Sequence, residues 1–272
     1  MSQVFEKELE VGICIAKQAG DIMRQYFEHT VQEREIKEDG TPLTIADTMI
    51  NSMVIKELEK SFPDDGVIGE EESTTDYGLG RKWFCDPIDG TRSYTWGVPT
   101  SMFSLALVID GVPQVGIAYD PYMDKMYTGI KGEGSFCNDQ RLRVSAKSLD
   151  GGIVAVTANP RKMQEAKNYT SQISEAGADM AVYSSAVHKT SQVATGRFVA
   201  YIEKDVNAHD MAAVHVILEE AGGRITDMQG NNYDYTRPFK GTLVSNGIVH
   251  DQLLDILSRE SSAVNPSPAH LQ

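Results

Sequence analysis

Trp83-Phe84-Cys85-Asp86-Pro87-Ile88-Asp89-Gly90-Thr91 is the most informative stretch of this 272-residue chain. The run 82–85 reads as a strand. It leads into two aspartates spaced i, i+3 about a proline, then Gly-Thr. Aspartate is disfavoured inside strands, so both carboxylates are expected at the strand's end or beyond it. Pro87 fixes one dihedral, and Gly90 lets backbone approach closely. Two carboxylates with an intervening carbonyl suit a hard, oxygen-preferring cation such as Mg²⁺. Amides at Gly90 and Thr91 suit a phosphate, the more so if a helical turn begins there. An ordinary Asp-Pro/Asp-Gly loop would carry the same residues.

Upstream, Leu9, Ile13, Ala16, Ala19, Met23, Tyr26 and Phe27 recur at three and four, the period of a long amphipathic helix. Asp39-Gly40-Thr41-Pro42 signals a turn. Thr44-Ile45-Ala46-Asp47 reads as a capping box with Asp47 in place of the usual Glu. It opens a second helix through Ile50, Met53, Val54, Ile55 and Leu58 that stops before Pro63. Met49, Met53 and Met102 look like core filler. Downstream, 102–109, 112–119 and 125–128 are strand candidates, with Asp110-Gly111 as a hairpin turn. The stretch 1–145 is therefore α+β with a largely antiparallel sheet.

Beyond Ser145 the order alternates. Strands are expected at 153–157, 180–183, 198–202, 224–227 and 242–245. Helices are expected at 161–175, 185–195, 209–221 and 250–259. Alternation argues for an α/β layered half over 146–260, sharing one compact body with the first. The segment 261–272 is polar with two prolines and reads as a disordered tail.

The formal net charge is −14, from 25 Lys+Arg against 39 Asp+Glu. Such a surface repels nucleic acid and anionic membranes alike. Cys14, Cys85 and Cys137 form no C-x-x-C pair and no disulfide framework. MSQVFEKELE has no basic n-region and no apolar h-region, so no signal peptide is expected. No apolar run approaches the ~18 residues of a membrane span. A cytoplasmic protein is the simplest expectation.

Two further acidic clusters stand apart from 83–91. Gly69-Glu70-Glu71-Glu72 follows an apolar pair, and Asn207-Ala208-His209-Asp210 opens an Ala-rich helix. Alone, the first is a solvated loop and the second a helix N-terminal acid favoured by the macrodipole. Together with Asp86 and Asp89, Glu70 and Asp210 could converge on two divalent cations. Such a pair activates a water and stabilises a leaving oxygen.

GEE at 69–71, DPIDGT at 86–91, HDMAA at 209–213, Asp47 in TPLTIAD and GEGSFCNDQRLRVS at 132–145 resemble the inositol monophosphatase family. The motifs come in family order, and the resemblance covers about residues 5–258. It implies a layered αβαβα sandwich of the sugar-phosphatase type. It implies two or three Mg²⁺ ions, the first on Glu70, Asp86 and the Ile88 carbonyl, the second on Asp86, Asp89 and Asp210. Asp47 and Thr91 would pair to orient and deprotonate the attacking water, and Glu70 would help place a third metal. Gly90 and Thr91 would bind phosphate, and Glu203 would contact substrate hydroxyls. Ser184, Ser185 and Ala186 would form the neighbouring pocket wall. The implied reaction is hydrolysis of a small phosphate monoester by a metal-activated water, with lithium inhibition and a homodimer as family habits.

Inositol monophosphate is the first substrate to consider, and histidinol phosphate the second. Arg92 is similar to the basic residue of relatives that act on histidinol phosphate or nucleotide bisphosphates, and the stretch 65–70 is similar to histidinol-phosphate phosphatases. A bisphosphate nucleotidase or sugar bisphosphatase would need an extra basic subsite. A non-catalytic phospho-ligand-binding relative would have lost a ligand or the Asp47/Thr91 pair. His209 stands where the family usually has Trp, as a packing substitution or an altered pocket wall. His188, His215 and His250 share no pattern, Cys85 reads as a buried thiol, and Glu219-Glu220 reads as a solvated helix face.

Overall fold

The computed structural model describes residues 5–27, 34–36, 42–157 and 160–264. The apolar stripe of the first segment becomes helix α1, Glu6–Phe27, which buries Ile15, Ala16, Ala19 and Met23. Strands β1, Arg34–Ile36, and β2, Pro42–Thr44, pair antiparallel. Helix α2, Ile45–Ser61, begins at the capping box: Thr44 is the N-cap and Asp47 closes it. Of the three methionines read as filler, Met102 is buried, but Met49 is 41% exposed. Its place on α2 turns outward because Ala46, Ile50 and Val54 form the inner stripe.

A seven-stranded sheet follows, in the order β3-β4-β5-β6-β7-β8-β9. Its strands are Gly66–Gly69, Arg81–Asp89, Met102–Ile109, Val112–Asp120, Lys125–Ile130, Gly134–Cys137 and Gln140–Arg141. Only β3 and β4 pair parallel; the rest are antiparallel. Asp110 and Gly111 both take positive φ (50° and 79°) between the paired Ile109 and Val112. That is the conformation a two-residue hairpin with native twist requires.

One expectation is corrected in β4. The strand does not end before the aspartates but runs through both to Asp89. Its register shifts there: Asp86 opposes Ser104 and Asp89 opposes Met102, so three steps on β4 meet two on β5. This bulge takes up the extra residue and the proline that a regular ladder would reject. Strand β4 then passes through Gly90 into the short helix α3, Thr91–Thr95.

The second sheet has five strands in the order β11-β10-β12-β14-β13. They are Asp179–Val182, Ile153–Val156, Ala200–Glu203, Thr242–Ser245 and Arg224–Thr226. Strand β10 pairs parallel with β11 and β12, whereas β14 is antiparallel to β12 and β13. Helices α4 (Pro160–Glu175), α5 (Ala186–Ala194), α6 (Ala208–Glu220) and α7 (His250–Val264) complete the chain. Helix α7 runs four residues into the segment read as a disordered tail; Pro266 and Pro268, which would break a helix, come only later. The remainder of that segment, 265–272, lies outside the described residues.

Packing sorts these parts into five layers. Helices α1 and α2 cover one face of the large sheet, burying Ile15, Met23, Ile50, Val54, Trp83, Leu105 and Ile117 together. Helices α5 and α6 lie between the sheets, with Val187, Val193, Met211, Val214, Ile217, Tyr201 and Val244 as their shared core. Helices α4 and α7 cover the far face of the small sheet through Tyr169, Ile173, Leu253 and Leu257. This is the layered αβαβα sandwich expected from the sequence. Helix α6 presses closely on the large sheet: a Cβ at Gly116 on β6 would lie 2.1 Å from the Ala213 carbonyl oxygen. Only glycine permits that approach.

Glu220, read as part of a solvated helix face, is tied down instead. Its two carboxylate oxygens accept from the Gly132 and Gly134 amides at 2.7 Å, pinning the turn between β7 and β8 to α6. His250 is fully buried at the start of α7, where Ser245 Oγ and Thr226 Oγ1 lie 2.8 and 3.0 Å from its ring nitrogens. Burial lowers its pKa to about 4, so it is a neutral, structural imidazole at neutral pH.

Candidate active site

The end of β4, the start of α5 and the start of α6 meet at one cleft of about 380 Å³. Asp86 and Asp89 reach it from the bulge, and Asp210 from the first turn of α6. One oxygen of each carboxylate lies within 4.8 Å of the others. Three like charges at that spacing repel, and Asp86 and Asp89 are buried as well. Asp86 is held well above the usual carboxylate range by burial first, then by Glu70, Asp89 and Asp210. Asp89 is pushed up to about 7 by burial and by the Asp210 charge.

Asp89 is also the most firmly held of the three. Ser185 Oγ donates to its Oδ2, the Ala186 amide to Oδ1 at 3.0 Å and the Val187 amide to Oδ2 at 2.9 Å. The N-terminus of α5 therefore clamps a carboxylate, as its unsatisfied amides and dipole favour. The clamp uses a constrained residue: Ser185 has φ 113°, ψ 107°, outside the regions a serine ordinarily adopts. Gly90, with φ 85°, completes the contact, since a Cβ there would lie 2.8 Å from Ser185 Cβ. Asp86 Oδ1 accepts from the Ile88 amide at 3.0 Å, and Asp210 Oδ2 from the Asn207 amide at 2.6 Å.

A second acidic group, Asp47, Glu70 and Glu71, has oxygens within the same 4.8 Å. Glu70 lines the cleft, and its amide donates to the Cys85 carbonyl at 3.1 Å, which anchors the acidic loop to β4. Asp47 divides its two oxygens. Oδ2 accepts from the Thr44 amide at 2.8 Å and the Thr44 hydroxyl at 2.6 Å, which makes the cap of α2. Oδ1 is buried with no hydrogen-bond partner. Burial raises the Asp47 carboxyl to about 7, with Glu70 and Glu71 adding to the rise and the Thr44 bonds opposing it.

Of the residues singled out in the sequence, Glu70, Asp86, Ile88, Asp89, Gly90 and Thr91 line the cleft. Ser184, Ser185, Ala186, Glu203 and Asp210 line it too, as do Arg92 and His209. Asp47 does not line it but stands with Glu70 at its edge. Asp47 and Thr91 are not hydrogen-bonded to one another: Thr91 Oγ1 donates to the Ile88 carbonyl at 3.0 Å. The cleft also holds residues that sequence reasoning missed, chiefly Lys189, Tyr201 and Asp205. Glu71 was missed too; within a run of three glutamates nothing in the pattern separates it from its neighbours. Among the described residues no helix is long and apolar enough to cross a membrane.

Mutually repelling carboxylates, several of them buried and one with an orphaned oxygen, form a set of oxygen donors that fits hard divalent cations. An acid cage of this kind beside backbone amides, on a layered sandwich, suits metal-dependent hydrolysis of phosphate esters. The model of the inositol monophosphatase family matches residues 6–262. A histidinol-phosphatase of Chlorobaculum parvum is 32% identical over 224 residues, covering 82% of this chain and 86% of that protein. Inositol monophosphatase 1 of Mus musculus is 28% identical, covering 86% and 88%. An IMPase structure from Thermotoga maritima superposes with a TM-score of 0.86 at 26% identity, covering 95% and 99%. The chain belongs to the inositol monophosphatase family and is a phosphoric monoester hydrolase. The family is metal-dependent and acts on small phosphorylated substrates.

Proposed function

We propose that the protein hydrolyses the phosphate monoester of a small polyol, inositol monophosphate first among them, with two or three Mg²⁺ ions. The observation that carries this reading is the convergence of Asp86, Asp89 and Asp210 from separate elements onto one cleft. Glu70, Asp86 and the Ile88 carbonyl would hold one cation, and Asp86, Asp89 and Asp210 another. Bound there, divalent cations would make a water nucleophilic near neutral pH and offset charge on the phosphoryl oxygens.

The chain's own groups do the rest. Gly90 and Thr91 would orient the phosphate with backbone amides. Because Thr91 Oγ1 gives its proton to Ile88, its lone pairs are left to accept from the attacking water. Asp47 Oδ1 would be the second acceptor, on a carboxyl raised to about 7, where a base can both gain and lose a proton. Glu203, on β12, would accept from substrate hydroxyls, and Ser184, Ser185 and Ala186 would shape the wall, with Ser185 and Ala186 also clamping Asp89.

Histidinol phosphate is the second reading, favoured by Arg92 in the cleft and by the histidinol-phosphatase relative. The bisphosphate readings draw less support. Lys240 lies 3.2 Å from Asp205 and Lys189 3.7 Å from Glu203, so neither is an uncommitted cation for a second phosphate. A homodimer in the cytoplasm completes the proposal. All three cysteines are free thiols, as a reducing compartment would keep them.

The test is phosphate release with Mg²⁺ from inositol 1-phosphate and histidinol phosphate in parallel. We expect the inositol ester to give the higher kcat/KM. A hundredfold preference the other way, about 2.7 kcal/mol of transition-state binding, would transfer the assignment to histidinol phosphate. Sedimentation of the same sample tests the dimer.

A further inference from the structure

Lys189 sits where a lysine is not expected. It lies on α5 between the two sheets, is 2% exposed, and yet lines the cleft. Its ammonium lies 3.7 Å from Glu203 Oε2 and 4.3 Å from the centre of the Tyr201 ring, and donates to the Val156 carbonyl at 3.4 Å. Glu203 is itself 7% exposed. A buried charge persists only where it is paired and hydrogen-bonded, and here each of the two answers the other. The wall that would meet the alcohol part of a substrate thus carries no net charge at this pair. A lone glutamate there would attract an ammonium group; a glutamate already matched by a lysine accepts hydroxyl protons and repels a second cation.

We propose that Lys189 is a specificity-determining positioning residue. By neutralising and orienting Glu203, it selects phosphate monoesters of uncharged polyols against those that carry an amine. This rests on the phosphatase reading above and deepens it.

The experiment compares kcat/KM for inositol 1-phosphate and histidinol phosphate in the wild type, Lys189→Arg, Lys189→Met, Glu203→Gln and the double variant Lys189→Met/Glu203→Gln. p-Nitrophenyl phosphate with Mg²⁺ serves as a substrate without a polyol or an amine. The wild type should favour the inositol ester, and Lys189→Arg should keep that preference. Lys189→Met should move the ratio at least about tenfold toward the amine-bearing ester. Glu203→Gln, which removes the carboxylate facing the cation, should move it the opposite way, and the double variant should return toward the wild-type ratio. If Lys189→Met does not fold, the step from Glu203→Gln to the double variant carries the same test: it must restore turnover of the amine ester relative to the polyol ester. Ratios that stay within about twofold across the folded variants, with p-nitrophenyl phosphate still hydrolysed, overturn the role of Lys189 alone. A wild type that prefers histidinol phosphate also overturns it. Failure of the Mg²⁺-loaded wild type on all three esters overturns the phosphatase reading and this inference with it.

Discussion

The two acidic groups of the cleft are built in opposite ways. Asp86, Asp89 and Asp210 come from a strand bulge and a helix start, and each carboxylate is already held by at least one backbone amide. Asp47, Glu70 and Glu71 come from a helix cap and a loop, and Asp47 alone of these three is fully buried. The first group is a fixed cage whose charges the fold brings together against their repulsion. The second is a softer edge with one orphaned oxygen. A cage suits groups whose geometry must not move, and an edge suits groups that exchange protons or a weakly held ion.

Substitutions separate the two. Asp89→Asn removes a cage charge and leaves one amide of the α5 clamp without its acceptor; we expect kcat to fall roughly 10³-fold with the circular dichroism spectrum unchanged. A variant keeping most of its activity would break the cage assignment. Asp47→Asn can still accept from Thr44 but offers no base; turnover should drop at least about 10²-fold while the melting temperature hardly moves. Asp47→Ala should add a loss of about 1 kcal/mol of stability, because the half of the α2 capping box made by the Asp47 carboxylate goes as well. If both variants melt alike, the division of labour between its oxygens is wrong.

The comparison also has a pH signature. Burial raises the Asp47 and Asp89 carboxyls from the ordinary aspartate value of 3.8 to about 7 in the folded protein. A carboxyl that holds its proton more tightly when folded makes the metal-free protein lose stability as pH rises from about 4 to 7. Mg²⁺ should offset this, so the stabilisation it gives should be larger at pH 8 than at pH 5. At saturation near 100 times Kd the gain is about 2.7 kcal/mol, roughly 5 °C or more in melting temperature. Equal shifts at both pH values would count against cation binding at the cage. The smallest effect belongs to Glu71→Gln at the outer edge, where we expect a change of a few-fold, confined to the Mg²⁺ concentration that gives half-maximal rate. A collapse of kcat there would promote the edge to the rank of the cage.

Much of this was legible in the amino-acid order. Helix α1 announced itself by its stripe, α2 by its cap and the β5–β6 hairpin by Asp-Gly, because each depends on contacts made within a few residues. The layered second half followed from the alternation of its elements, whereas the full αβαβα sandwich was only implied by the resemblance to the family. The path of β4 through Asp86 was hidden because a bulge depends on the partner strand, which propensity does not see. That the Thr91 hydroxyl donates to the Ile88 carbonyl was not legible either, since several acceptors compete and only the tertiary structure ranks them. Lys189 escaped notice because α5 is buried nearly all round between two sheets. A helix in that position has no polar face by which an inward lysine stands out.

Gly116 lies on β6, carries no chemistry and faces no substrate, yet the backbone of α6 rests directly on it. That helix carries Asp210 at its first turn, while the neighbouring strands lead to Asp86 and Asp89. The gauge of the acid cage is therefore set by two backbones in contact, with no side chain between them to act as a spring. A single methyl group at residue 116 would work as a shim, tilting the helix and opening the cage while leaving every acid of the cleft in the sequence.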